Sequence, residues 1–469
     1  MRNSASTGQV YRDSLLLATK PTKLPEALHG RTFRRRSEIL VERNIDFSRN
    51  VSDLLQLDDA DSRPGNHAAT PDTRRPAATR ARRVVIPIGS LCLLFAVVSW
   101  VLYSFLFSSV PAQDFKVFYT AARSYIEGNL PLIFDGYAFT AKINEQFGDG
   151  FSHPLDLHPW VYPPLFLLMV IPLGVFPFIA AYVLFLGVTF VSLNCAIRCY
   201  VHQRYQRWVC GIGLLLSPAT AFTVAVGQNS FMTTALLVGG FGLIRRSPLV
   251  AGGLLGVLTC KPQLWILVPL ALCAARQWKV LAAAVASAGV TALASLAVLG
   301  TDPWRAWLTL MLGSSPSYQR WLQVGRLKGQ SAYTEAILLG TSPGTAMLIQ
   351  DLAIVLCAAL VWWCFRASRM PRDLQLAVLL TAAILAAPHV SNYDAVMVAV
   401  AVLLFLCRAL RDGLRFGDTI LIVIVWTIEL LDPPQVIRWG LVTPLVLCVF
   451  LAVVIARGIR PPLARALPG

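Results

Sequence analysis

Blocks of about 14–24 apolar residues, separated by short polar punctuation, run through most of this chain, and that spacing admits few folds. In lipid every backbone polar group must be satisfied within the protein, so only helices and closed barrels span it. Barrel strands alternate polar and apolar residues, whereas these blocks are continuous. The expected class is therefore all-α, a polytopic membrane bundle of about 12 spans.

Charge and composition agree. Hydrophobic residues make up 56% of the 469 positions and charged residues 14%, too little charge to cover a soluble surface of that size. The net charge of +16 reads as a basic tail plus the cytoplasmic bias of Lys and Arg. Nucleic-acid binding is set aside, because no soluble domain carries a basic face interleaved with aromatics. The ten cysteines lie nearly all in or beside apolar blocks, without metal-ligand spacing, and act as small apolar residues.

Residues 1–83 are polar and arginine-rich, and read as a disordered cytoplasmic tail. The membrane domain is expected over 84–460, followed by a cytoplasmic tail at 461–469. The first span, 84–107, follows Arg74, Arg75, Arg80, Arg82 and Arg83, which places the N-terminus inside. The segment 108–161 carries six acids against Lys116, Arg123 and Lys142, which suits the outer side. Later blocks fall near 178–198, 211–226, 230–244, 249–259, 262–275, 278–299, 346–366, 373–388, 392–410, 418–431 and 439–457. The cationic punctuation alternates so that both ends are cytoplasmic. The block at 163–177, with Pro163, Pro164, Pro172 and Pro177, is too short to cross and reads as re-entrant. The pair 249–259 and 262–275 reads as a short hairpin with Lys261 at its tip.

Polar residues near lipid are costly, so each is a functional candidate. Asp114 opens a stretch in which Phe115, Phe118, Tyr119, Ala122 and Ile126 share a helical stripe, expected to lie along the outer membrane surface. Asp114 there is either a helix cap or a working carboxylate. The run His158-Pro159-Trp160-Val161-Tyr162-Pro163-Pro164 offers the Tyr162 hydroxyl to a sugar or phosphate. Gly227-Gln228-Asn229-Ser230 is either a tight turn or a set of donors facing a cavity. Lys261, with no acid beside it in sequence, either snorkels or meets a phosphate. His389 and Asp394, in Pro388 to Asp394, either close a loop or position a substrate. All five map to the outer side in this topology.

These motifs, taken in order, resemble glycosyltransferase family 87. The likeness rests on Asp114-Phe115-x-Val117-Phe118-Tyr119 and its continuation to Gly128, on Tyr162 to Leu165, on Gly227 to Asn229, on Lys261-Pro262 and on Pro388 to Asp394. It covers about 110–410. It implies a C-type membrane glycosyltransferase that takes a hexose, typically mannose, from a polyprenyl-phosphate carrier. The acceptor would be a lipid-linked or surface glycan on the outer face of the bacterial inner membrane. By that resemblance Asp114 matches the family's catalytic acidic residue in the first outer loop.

The chemistry can be argued independently. A departing phosphate is a weak base, so no general acid is required. One carboxylate on the acceptor hydroxyl supports a direct inverting displacement, and cations near the phosphate stabilise the developing charge. The site residues expected are Asp114 as base, Lys261, His389 and Arg320 toward the donor phosphate, and Tyr119, Tyr162, Gln228, Asn229 and Asp394 toward substrate. No metal and no cofactor is expected, since the single Asp-x-Asp, Asp59-Ala60-Asp61, sits in the tail. The competing readings are a lipid-glycan flippase or secondary transporter, and an O-antigen-type polymerase or ligase using Arg305, Arg320 and Arg326. The chain shows no internal repeat of the transporter kind.

The tail yields a first prediction. Residues 1–83 hold too little apolar surface to offset ordering. A chain beginning at Thr79, which keeps Arg80, Arg82 and Arg83 to hold topology, should retain full specific activity in detergent. A large loss in correctly inserted protein would give the tail a role.

Overall fold

The computed structural model describes residues 112–148, 154–155, 157–312, 331–366, 370–431 and 442–459, with scattered positions between 90 and 101. The tail 1–83, Asp59-Ala60-Asp61, most of the span 84–107, Arg320, Arg326 and the end 461–469 lie outside the described residues. Every regular element described is helical.

Along the chain, α1 is Gln113–Ile126, followed by a 3-10 turn at Leu130–Phe134 and α2 at Gly136–Phe147. The proline-rich block forms α3, Pro164–Val175, whose last turn tightens to 3-10. Its residues Leu165, Phe166, Leu167 and Val170 are buried in protein. Next come α4 Phe178–Ile197, α5 Arg204–Leu215, α6 Pro218–Val226 and α7 Ser230–Leu243. Then follow α8 Pro248–Cys260, α9 Pro262–Ala274, α10 Trp278–Leu299, α11 Asp302–Met311 and α12 Ala332–Leu338. The last are α13 Pro343–Arg366, α14 Arg372–Ala386, α15 Val396–Asp412 with a leading 3-10 turn at Asn392–Ala395, α16 Phe416–Leu431 and α17 Val442–Ile459.

Four described helices are long and apolar enough to cross a membrane: α4, α10, α13 and α15 with its leading turn. A fifth arises if α5 and α6, bent by 50°, count as one span. Six further apolar helices are shorter, and most of the first expected span, 84–107, lies outside the described residues. Several apolar blocks are short helices broken at Pro218, at Gly227 and at Lys261-Pro262, and the hydropathy of a block does not report such breaks. α4, α10 and α13 bury only 22%, 17% and 22% of their apolar windows, against 78% for α15. Their outward faces carry Ile179, Val183, Val290, Leu293, Leu348 and Val355, all exposed. Apolar faces of that extent belong against lipid. The described residues form an all-helical membrane domain in which α14 and α15 pack together in the buried core.

The hairpin follows from backbone approach. Gly252 of α8 faces Ala283 of α10, and Gly256 faces Ser287. The two helices thus run parallel, so α9 between them runs back and Lys261 sits at the turn. Gly, Ala and Ser at this seam permit the close packing that membrane helices favour.

The polar face expected on α1 is not left open. Lys116, Thr120 and Ser124 are buried along with Phe115 and Phe118, because α2, α3 and the Leu130–Phe134 turn cover the side away from the bundle.

At the far end of α15 the charges are of a different kind. Asp373 accepts from Arg408 and Arg411, each at 2.7 Å. Fourteen residues at 1.5 Å each put this cluster about 20 Å from Asp394, at the opposite end of the same helix.

Candidate functional site

The N-terminus of α1 is fixed by backbone before any side chain acts. Ala112 adopts the left-handed conformation at φ 55°, and its N–H donates to the Ala225 carbonyl at 2.9 Å. This ties α1 to the end of α6. There Gly227 turns at φ 75°, and a Cβ on it would lie 2.4 Å from the Phe115 Cβ and 3.0 Å from Tyr182. Only glycine fits both the dihedral and the gap. Gly227→Ala should therefore cost about 2 kcal/mol or more and push α1 away. The thermal unfolding midpoint in detergent measures this, and an unchanged midpoint would contradict it.

That clip sets Asp114, the second residue of α1, beside the 227–230 turn. Gln228 Nε2 donates to Asp114 Oδ2 at 2.8 Å. Gln228 Oε1 accepts from the Tyr162 hydroxyl and from the Asn229 N–H, both at 2.9 Å. Asp114 is not the helix cap: Ala112 holds that position, without a side-chain cap.

A second centre adjoins the first. Lys261 Nζ lies 2.5 Å from Asp394 Oδ1, 3.5 Å from Asn229 Oδ1 and 5.0 Å from the centroid of the Tyr393 ring. Ser230 Oγ donates to the same Asp394 oxygen at 3.3 Å, and the Ser391 N–H donates to Asp394 Oδ2 at 3.4 Å. Lys261 and Asp394 are 3% and 2% exposed, so this is a buried ion pair. The sequence reading of Lys261 as a cation without an acid is corrected: its acid comes from a segment 133 residues away. Asn229 Nδ2 is buried and meets no acceptor among the described residues, an arrangement that a bound hydroxyl or water would relieve.

The electrostatics are uneven. Burial pushes the Asp114 carboxyl above its usual range, opposed by His158, the Gln228 hydrogen bond and Lys261, and reinforced by Asp394. Burial also holds the Tyr162 hydroxyl well above its usual range, so it stays a donor.

The structure thus brings Asp114, Tyr162, Gln228, Asn229, Lys261 and Asp394 into one group. Tyr119 stands apart. Five residues along α1 turn it away from Asp114, and its hydroxyl donates to the Phe176 carbonyl at 3.0 Å. His389 is half-buried in the loop after α14. His158 is the residue that sequence reading passed over within its own motif. It meets Gln113 Nε2 at 2.5 Å and acts electrostatically on Asp114. Its place in the run ending at Tyr162 was the only available signal. The arrangement offers a carboxylate that can take a proton beside a cation that can face an anion.

The sequence profile of glycosyltransferase family 87 matches residues 160–391. That stretch holds Tyr162, Gln228, Asn229, Lys261 and His389, while Asp114 and Asp394 lie outside it. No curated protein and no solved structure matches the chain.

Proposed function

The chain belongs to glycosyltransferase family 87, and from that premise we propose that it moves a hexose, mannose by preference, from a polyprenyl-phosphate carrier to a lipid-linked or surface glycan. The fold is then of the C type, and the reaction takes place at the outer face of a bacterial inner membrane, with both termini cytoplasmic. The observation that carries this reading is that one held carboxylate, Asp114, and one buried cation, Lys261, come from distant segments to the same Gln228-Asn229 turn.

The step balances with these groups alone. Asp114 takes the proton of the acceptor hydroxyl. The acceptor oxygen attacks C1 of the sugar, the bond from C1 to the phosphate oxygen breaks, and its electron pair leaves with the phosphate. The leaving phosphate needs a counter-charge rather than a proton. Lys261 supplies that charge, with His389 and Arg320 as further contributors. Asn229, through its unsatisfied amide nitrogen, and Asp394 contact the sugar.

Purified protein incubated with polyprenyl-phosphate-mannose and a panel of membrane lipid extracts should yield a lipid heavier by one hexose, seen by mass spectrometry. Donor that remains intact against every extract, with folded protein, would overturn the proposal. Donor carried across vesicles without being consumed would favour a flippase.

A further inference from the structure

Gln228 is 3% exposed, and its amide has a single workable orientation. Its oxygen already receives two donors, the Tyr162 hydroxyl and the Asn229 N–H. Turning the amide over would set nitrogen against the Asn229 N–H and oxygen against the Asp114 carboxylate. The nitrogen must therefore face Asp114 Oδ2. Tyr162 is itself held by ring contacts: its centroid lies 5.4 Å from Phe118, one turn beyond Asp114 in α1, and 4.6 Å from Phe166 of α3. Among the described residues, Asp114 Oδ1 meets no hydrogen-bond donor.

We propose that Gln228, and Tyr162 acting through it, are positioning residues that occupy Asp114 Oδ2 and present Oδ1 to the acceptor hydroxyl. The inference rests on Asp114 being the base. It replaces the sequence expectation that Tyr162 and Gln228 contact substrate, because the Gln228 oxygen and the Tyr162 proton are already engaged with each other.

The other titratable groups facing Asp114 are His158 from the loop before α3, Lys261 from the hairpin tip, and Tyr393 and Asp394 from the turn before α15. None of them is substituted in the variants below. A hydrogen bond to the charged form of a carboxylate favours that form. Losing it raises the pH at which Asp114 gives up its proton.

The test is a double-variant cycle on the full chain in detergent. Infrared difference spectra against Asp114→Asn isolate the Asp114 carboxyl band, which is then titrated. Gln228→Met should move that titration to higher pH, and Tyr162→Phe should move it less. Combining the two should titrate like Gln228→Met alone. In the transfer assay with polyprenyl-phosphate-mannose, Gln228→Met should lower kcat about tenfold to hundredfold, leave the donor KM unchanged and shift the acid limb upward. Tyr162→Phe removes one oxygen atom and keeps the ring packing, so it remains informative if Gln228→Met folds poorly. An unmoved Asp114 titration, or additive losses with a raised KM, would make these residues substrate contacts and overturn the proposal. Wild-type transfer by Asp114→Asn would instead sink the base assignment and the proposal with it, an outcome the titration alone cannot mimic.

Discussion

Asp114→Asn is expected to lower hexose transfer by about 10²- to 10⁴-fold, the usual contribution of a positioned general base, while the protein folds and binds donor as before. Asn has the same size and can still accept from Gln228 Nε2. No cap is lost, since Asp114 does not cap α1. The wild-type pH profile follows from the same group. A base works only when deprotonated, and burial raises the carboxyl above its ordinary range. Activity should therefore fall as pH drops through that raised value, and the remaining rate of Asp114→Asn should not show that limb. Steady-state rates across pH check both points. Turnover near wild type in the variant would remove Asp114 from the reaction.

Lys261→Met is expected to damage both fold and binding, and the two can be separated. Removing the cation strands Asp394, 2% exposed, as an uncompensated buried charge, at a cost of about 3–5 kcal/mol. Lys261→Met combined with Asp394→Asn removes both charges and should recover most of the lost thermal stability. Donor affinity should not recover. The phosphate would still lack its counter-charge, a loss of about tenfold to hundredfold for one charge-assisted hydrogen bond. Calorimetric unfolding and a donor Kd on each variant give the answer. If the combined variant binds donor like the wild type, the Lys261–Asp394 pair is a strut between two loops and nothing more.

What could be read from sequence was what is local. The helical class followed from continuous apolar blocks. The short α3, the turn at Gly227 and the hairpin at Lys261-Pro262 followed from Pro and Gly, which act on their own neighbours. What could not be read was pairing at a distance. The Asp114–Gln228 and Lys261–Asp394 contacts span 114 and 133 residues, and nothing in either segment names its partner. The covering of α1 was hidden for a related reason. An apolar stripe shows which face is buried, but not that α2 and α3 return to cover the other. Tyr119, expected toward substrate, shares α1 with Asp114, and helical geometry turns it away. The breaks within apolar blocks were hidden because hydropathy measures composition along a block, not whether one helix runs through it.

The central claim is a single-carboxylate displacement, and the stereochemistry of the product tests it most directly. A donor of known anomeric configuration should give a product with the opposite configuration at C1, read from one-bond carbon–proton couplings in the nuclear magnetic resonance spectrum. One attack on C1, with Asp114 as base, allows only that outcome. A product with retained configuration would contradict a direct displacement from the face opposite the phosphate, with Asp114 as a base on the acceptor hydroxyl.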